Sequence, residues 1–355
     1  MKILITGVGG PTPRSFAISL KKYSNYKNFE FIATDINPLS MGLYQKDLFE
    51  KSYIVPRASD TNYWNAIEEI IEENNIDVAV ILPELEVIEW SRRKEKENLP
   101  CKVLLPDYDL AELLVDKAKM TNLLEELDIV PESIEFHRNE KELDKVSKKL
   151  GYPYWIRSTS GTSGLGSLKI EDENSLKNWI HINPNVENFL ASTFLSGRNL
   201  ACKLLYYEGN LLRAAVAERV NYIMAKVAPS GITGNTSFGR FLNEPEIVKE
   251  AIRAMDYMFA YSKTKKHGFF TVDFKEDENG KPFITEVNVR HVAFTQCFAA
   301  GGANFAEDTI RLLNDDPSFE REFKNYEFEK DLIFLRDVDE EPIMMKETEL
   351  LKNIL

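Results

Sequence analysis

An α/β protein, with a doubly wound parallel sheet at its N-terminus and a strand-rich part behind it, is predicted by three features of this 355-residue sequence. Residues 3–82 run strand, glycine loop, helix, strand, helix, strand, the order of a parallel sheet with crossover helices. Residues 268–290 alternate with period two on both sides of Asn279-Gly280, a strong hairpin signal. Residues 157–167 place an arginine, three glycines and a run of hydroxyl side chains between two strands, far longer than a hairpin requires.

In chain order, Ile3–Thr6 is a short apolar run stopped by Gly7-Val-Gly9-Gly10-Pro-Thr12-Pro13. Arg14–Lys22 then has helical spacing in Phe16, Ala17 and Leu20. Phe29–Ala33 is a second strand ending at Asp35, Tyr63–Glu73 a helix, and Asp77–Leu82 a third strand ending at Pro83-Glu84-Leu85-Glu86. Those two glutamates stand where open sheets bind ligands, or else balance charge at a helix N-terminus. The glycine loop has Gly7 and Gly9 of a dinucleotide fingerprint, and Asp35 suits its ribose acid, but Thr12 replaces the last glycine. Val103–Pro106 is another strand, and Asp116-Lys117 opens a helix to about Leu127. Strands are also predicted at 151–156, 168–170, 200–207 and 211–218, and an amphipathic helix at 244–263 whose Ile247, Ala251, Ala254, Met255 and Met258 form a core face. Residues 219–241 are irregular and carry no readable chemistry. A helix begins after Gly301-Gly302-Ala-Asn304, and the chain ends in a strand at 332–335 and a charged helix.

Composition narrows the function. Hydrophobic content of 43% is that of a globular chain, and the length suits two or three domains. A net charge of −13 argues against nucleic acid, which demands a basic surface. Cys101, Cys202 and Cys297 are too far apart for a zinc motif or disulfide framework, and the four histidines do not pair at ligand spacing. No apolar run reaches membrane-spanning length and the N-terminus lacks a signal-peptide pattern, so the expected location is cytoplasmic.

The hairpin carries the first chemistry. A two-residue Asn279-Gly280 turn pairs Glu278 with Lys281 and hence Asp273 with Glu286. Directly opposed side chains stand about 5 Å apart, where like charges repel. Two carboxylates with Asn288 two residues along the same face offer only oxygen, which suits Mg²⁺ shared with a phosphate. The alternative is a solvated hairpin face. In 157–167 the glycines let backbone N–H groups approach an anion, with Arg157 a fixed cation beside them; the alternative is a functionless surface loop. It does not match the Walker pattern.

Asp273 followed by Glu286-Val-Asn288-Val-Arg290 resembles the metal-binding end of an ATP-grasp ligase, of the subgroup similar to the carbamoyl-phosphate synthase large subunit. The resemblance covers residues 1 to about 313, with its motifs in the family's order, and implies a two-lobed ATP-grasp domain behind a pre-ATP-grasp domain. Its implied bounds are 1–106 for the N-terminal domain, 107–315 for the ATP-grasp domain with its lid subdomain at about 116–192, and 316–355 for a C-terminal extension. It also implies the site. Asp273, Glu286 and Asn288 would hold a pair of Mg²⁺ ions, with Mn²⁺ as a substitute, and Arg290 and Arg157 would neutralise the transferred phosphoryl group. Lys117 would contact the ATP phosphates, and Ser160, Gly161, Gly164, Gly166 and Ser167 would form the lid over them. Ser192 and Phe194 would lie along the adenine and Asn199 by the ribose. Two departures from the family stand here: Ser192 or Thr193, and again Asn199, replace its usual glutamates, and asparagine holds a hydroxyl without charge assistance.

The implied activity is Mg-dependent carbon–nitrogen ligation: a small-molecule carboxylate becomes an acyl phosphate and an amine displaces phosphate. A homodimer is compatible with it, and nucleic-acid and membrane partners are not expected. No internal repeat is present, which excludes a tandem two-halved synthase. Two rivals stand beside it. One is an NAD-dependent oxidoreductase built on Gly7, Gly9 and Asp35, and the other a non-catalytic nucleotide-binding module.

Overall fold

Near-continuous apolar runs make a parallel sheet buried on both faces, and the first of them, Ile3 to Ile5, is wholly inaccessible. In the computed structural model, which describes residues 1–26, 28–159, 166–337 and 343–349, five parallel strands form this sheet. They are β1 (Lys2–Thr6), β2 (Glu30–Asp35), β3 (Lys51–Ile54), β4 (Val78–Val80) and β5 (Lys102–Val103), in the order β3-β2-β1-β4-β5. The edge strand β3 was not expected; its burial is too slight for a hydrophobic pattern to show.

Helices α1 (Pro11–Tyr23), α2 (Tyr63–Asn74), α3 (Glu84–Lys94), α4 (Tyr108–Val115) and α5 (Lys117–Leu124) follow from their apolar spacing. Phe16, Ala17 and Leu20 of α1 join a core with Ile3, Ile5 and, from far along the chain, Ala306, Ile310 and Leu313. The other face of the sheet packs on Ile67, Ile70 and Trp90, in a core that continues through Leu110 and Met120 to Met255, Met258, Phe270 and Ile284. The N-terminal sheet and the hairpin are therefore fastened to one hydrophobic body.

A second, antiparallel sheet has the order β6-β9-β7-β8, from β6 (Ser133–His137), β7 (Tyr154–Ser158), β8 (Leu168–Ile170) and β9 (Asn188–Thr193). Helices α6 (Glu140–Leu150) and α7 (Glu173–Ile182) flank it, and Leu143, Val146, Leu176 and Ile180 fill its core. The largest sheet contains β10 (Asn199–Tyr207), β11 (Asn210–Tyr222), β12 (Thr236–Leu242), β13 (Gly268–Glu276), β14 (Pro282–Asn288), β15 (Lys324–Asn325), β16 (Leu332–Leu335) and β17 (Ile343–Lys346). Its order is β14-β13-β10-β11-β12-β16-β17, with β15 beside β11. Helices α8 (Pro245–Ser262), α9 (Thr295–Ala300) and α10 (Phe305–Leu313) complete the chain, α10 capped by the Asn304 side chain.

Two expectations need correction here. Part of the expected charged terminal helix is instead strand β17, paired with β16, because Ile343–Met345 find a sheet edge to extend; residues 350–355 lie outside the described residues. Residues 219–241 are not wholly irregular, since β11 runs on to Tyr222 and β12 pairs with it.

Glu86, at the start of α3, is 5% exposed, and burial pushes its carboxyl up to about 7. A carboxyl raised in the folded state favours folding while protonated. That contribution is full below about 4.5, the unfolded value, and is lost as pH rises through about 7. Glu86→Gln should therefore gain on the wild type by roughly 3 kcal/mol between pH 5 and pH 8, as read by urea denaturation at both pH values.

Candidate active site

The Asp273–Glu286 pairing stands as expected, but the local path to it differs. Asp277 N–H donates to Lys281 O at 3.0 Å and Gly280 N–H to Asp277 O at 3.3 Å, so the turn holds three residues rather than two. Gly280 takes the left-handed position at φ +82°, which a side chain would strain. The extra residue shifts the register by one, and a bulge between Asp273 and Phe274 shifts it back. Thr285 is the unpaired residue, and its hydroxyl donates to Asp273 O at 3.2 Å. The bulge also turns Ile284 to the core with Val287 and Val289, whereas strict alternation set it on the Glu286 face.

Around the hairpin lies a cavity of about 750 Å³. Lys117, Arg157, Ser167, Ser192, Phe194, Asn199, Asp273, Glu286, Asn288 and Arg290 all line it, although they come from five strands, a helix and flanking loops. Gly166 stands next to Ser167 at φ +70° with its carbonyl bonded by Trp179 Nε1 at 3.0 Å. Ser160, Gly161 and Gly164 lie outside the described residues. Gly7, Gly10–Pro13 and Pro83 of the N-terminal sheet line the same cavity.

Most charges of the site have an internal partner. Lys117 is placed at the first turn of α5 by Asp116, whose carboxylate caps the helix, and its Nζ lies 3.2 Å from Glu286 Oε1. Burial acts to raise the Glu286 carboxyl, but Lys117 and Arg157 outweigh it and hold the group below its ordinary value. Asp273 takes Arg219 Nη1 at 3.3 Å and the Asn288 amide nitrogen at 3.1 Å. Here burial prevails, with Glu286 adding to it, and the Asp273 carboxyl is pushed up to about 6. Arg290 reaches across to Glu84 of α3 at 3.0 Å, so the helix-terminus glutamate weighed from sequence is an ion-pair partner within the site.

Sequence reasoning missed Arg219. It sits within β11, beyond the point where the alternating pattern ends, and its role follows from pairing with Asp273, 54 residues on.

The donor set fits Mg²⁺ and a polyphosphate. The buried Nε atoms of Arg157 and Arg290 have no hydrogen-bond partner among the described residues, as arginines awaiting an anion would show. Asn288 spends its amide nitrogen on Asp273, which leaves its oxygen as the donor beside two carboxylates. No third His, Cys, Asp or Glu joins those two acids among the described residues. A dinucleotide fits less well: both Asp35 oxygens are taken by backbone N–H groups, of Gly9 at 2.7 Å and Asn37 at 2.9 Å.

The fold is that of the ATP-grasp ligases. Among solved structures, the chain is similar to N5-carboxyaminoimidazole synthetase from Staphylococcus aureus complexed with ADP, at 17% identity and a TM-score of 0.69, over 94% of this chain and 81% of that one. It is likewise similar to the biotin carboxylase domain of Hydrogenobacter thermophilus 2-oxoglutarate carboxylase, at 15% identity and 0.69, over 94% and 74%. A third is the L-amino acid ligase from Bacillus licheniformis, at 16% and 0.65, over 94% and 78%. In sequence, 119 residues are 30% identical to the formate-dependent phosphoribosylglycinamide formyltransferase of Prochlorococcus marinus, a match spanning 33% of this chain and 30% of that protein. No protein-family model matches the chain. No helix among the described residues is long and apolar enough to cross a membrane.

Proposed function

We propose that the protein is a cytoplasmic, Mg-dependent carboxylate–amine ligase that uses ATP. A substrate carboxylate oxygen takes the terminal phosphoryl group of ATP, giving an acyl phosphate and ADP. An amine then forms a bond to the acyl carbon, phosphate leaves with the C–O bond electrons, and the amine gives up a proton. The observation that carries this reading is the convergence of Asp273, Glu286 and Asn288 with Lys117, Arg157 and Arg290 on one cavity.

Lys117 and Arg157 would bind the phosphates, with the lid glycines over them, and Asn199 the ribose. Ser192 and Phe194 would border the adenine. Asp273, Glu286 and Asn288 would hold Mg²⁺, which supplies charge compensation to the phosphates when bound. Arg290, kept in place by Glu84, would stand by the transferred group. Catalysis of this kind is positioning and charge neutralisation, for which a rigid, water-poor cavity is the main requirement.

Purified protein with Mg²⁺ and ATP, offered pooled carboxylates and amines, should release ADP and phosphate in equal amounts only when both substrates are present. Mass spectrometry should find a product equal to their sum less one water. If no pair raised ADP release, the ligase reading would fail, and NAD reduction by any substrate would favour the oxidoreductase instead.

A further inference from the structure

The cavity carries one more cation that the proposed reaction leaves without a role. Lys275 lines it together with Asn199 and, two residues earlier on β13, Asp273. Residues two apart on a strand share a face, so Lys275 stands on the side of the sheet that Asp273 presents to the cavity. Its partner across the β10–β13 register is Asn199, and directly opposed side chains have Cβ atoms about 5 Å apart.

Lys275 is half-buried, and its Nζ donates to Gly197 O in the segment between β9 and β10 at 2.7 Å. An ammonium has three donors, so that bond leaves others to offer. Among the described residues Lys275 forms no ion pair. Glu276, the next residue, is held by Arg198 at 2.7 Å. Burial pulls the Lys275 ammonium below the ordinary lysine value, with Glu276 opposing. A neutral amide would make the bond to Gly197 O without drawing a charge out of water. The charge is therefore explained by a ligand group, and the place of Lys275 opposite Asn199 says which one.

We propose that Lys275 is a specificity-determining residue for the nucleotide, donating to a hydroxyl oxygen of its ribose. Asn199 by itself holds a hydroxyl without charge assistance, and Lys275 supplies that assistance from the facing strand. The sugar subsite is then one that donates, where a carboxylate would accept. This deepens the ligase reading and rests on its placing of the ribose at Asn199.

The test is calorimetry on the full chain with Mg²⁺, titrating ADP, 2′-deoxy-ADP and 3′-deoxy-ADP. The wild type should bind at least one deoxy form about tenfold more weakly than ADP, the loss of a charge-assisted bond. Lys275→Met keeps the apolar stem and removes the donors. In that variant ADP should bind as weakly as the deoxy form, so that the discrimination vanishes, and Lys275→Arg should keep part of it. Lys275→Gln is the second variant if the methionine protein does not fold. A lysine that only braced the segment at Gly197 would weaken all three nucleotides alike and leave the discrimination intact. That result overturns the assignment, as does equal binding of the three by the wild type. A changed preference between ADP and GDP with the deoxy penalty intact would put Lys275 at the base and likewise overturn it. None of these outcomes touches the ligase reading, whereas failure of ADP itself to bind overturns that reading and the role of Lys275 together.

Discussion

Asp273→Asn and Glu286→Gln are expected to lower ATP-dependent turnover alike, by about a hundredfold or more, while moving stability in opposite directions. Both carboxylates belong to the proposed metal set, so loss of either removes charge compensation from the phosphoryl group. Their environments without ligand differ. Burial raises the Asp273 carboxyl to about 6 despite Arg219, so its contribution to folding is full below the unfolded value near 4 and is lost as pH rises through about 6. At neutral pH its charge costs stability, and asparagine should melt at the same temperature or higher. Glu286 is held below its ordinary value by Lys117 and Arg157. Its contribution is present above the unfolded value and lost as pH falls through the lower folded one. Glutamine there leaves two cations facing each other with less compensation, and should melt lower. Mutual repulsion across the hairpin alone would have predicted a gain from either change; the cations supplied by α5 and β7 reverse the sign at Glu286. Thermal melts at pH 7 without ligand, with steady-state turnover alongside, check both halves. Near-normal turnover in both variants would remove the metal site.

Arg157→Met should reduce kcat/KM for ATP by about a hundredfold, the loss of one or two charge-assisted bonds to phosphate, with little or no loss of melting temperature. The physical reason is that burial already pulls the guanidinium below its ordinary range, with only Glu286 opposing. Its Nε makes no hydrogen bond among the described residues. Glu286 keeps Lys117 as its partner when Arg157 is gone. Arg157→Lys should recover part of the rate, because a point charge at the end of β7 can still face the phosphates. A collapse in stability with unchanged activity of the folded fraction would make Arg157 structural.

Much of the site was legible because its residues sit on regular elements with clear periods. The alternation of 268–290 placed Asp273 beside Glu286, and the structure keeps that pairing although the turn has one residue more than expected. The agreement depends on Thr285: without its bulge, a three-residue turn would have moved Asp273 opposite Thr285. A bulge leaves little trace in a hydrophobic pattern here, since the offset alternation runs only over the short stretch Pro282 to Ile284 beside the turn. Asp116-Lys117 was readable as a helix start, and the Asp116 cap confirms the local logic.

Local order around the site, the elements that carry its residues and the facing of its acids, was therefore determined by the sequence itself, since side-chain period and turn chemistry act over a few residues. Which charge neutralises which was decided only by tertiary structure. Lys117 meets Glu286, Arg219 meets Asp273 and Glu84 meets Arg290 across separations of 169, 54 and 206 residues. Such partners are chosen by how separate elements pack on the shared hydrophobic body, and Coulomb attraction between distant residues has no period along the chain by which a sequence could announce it.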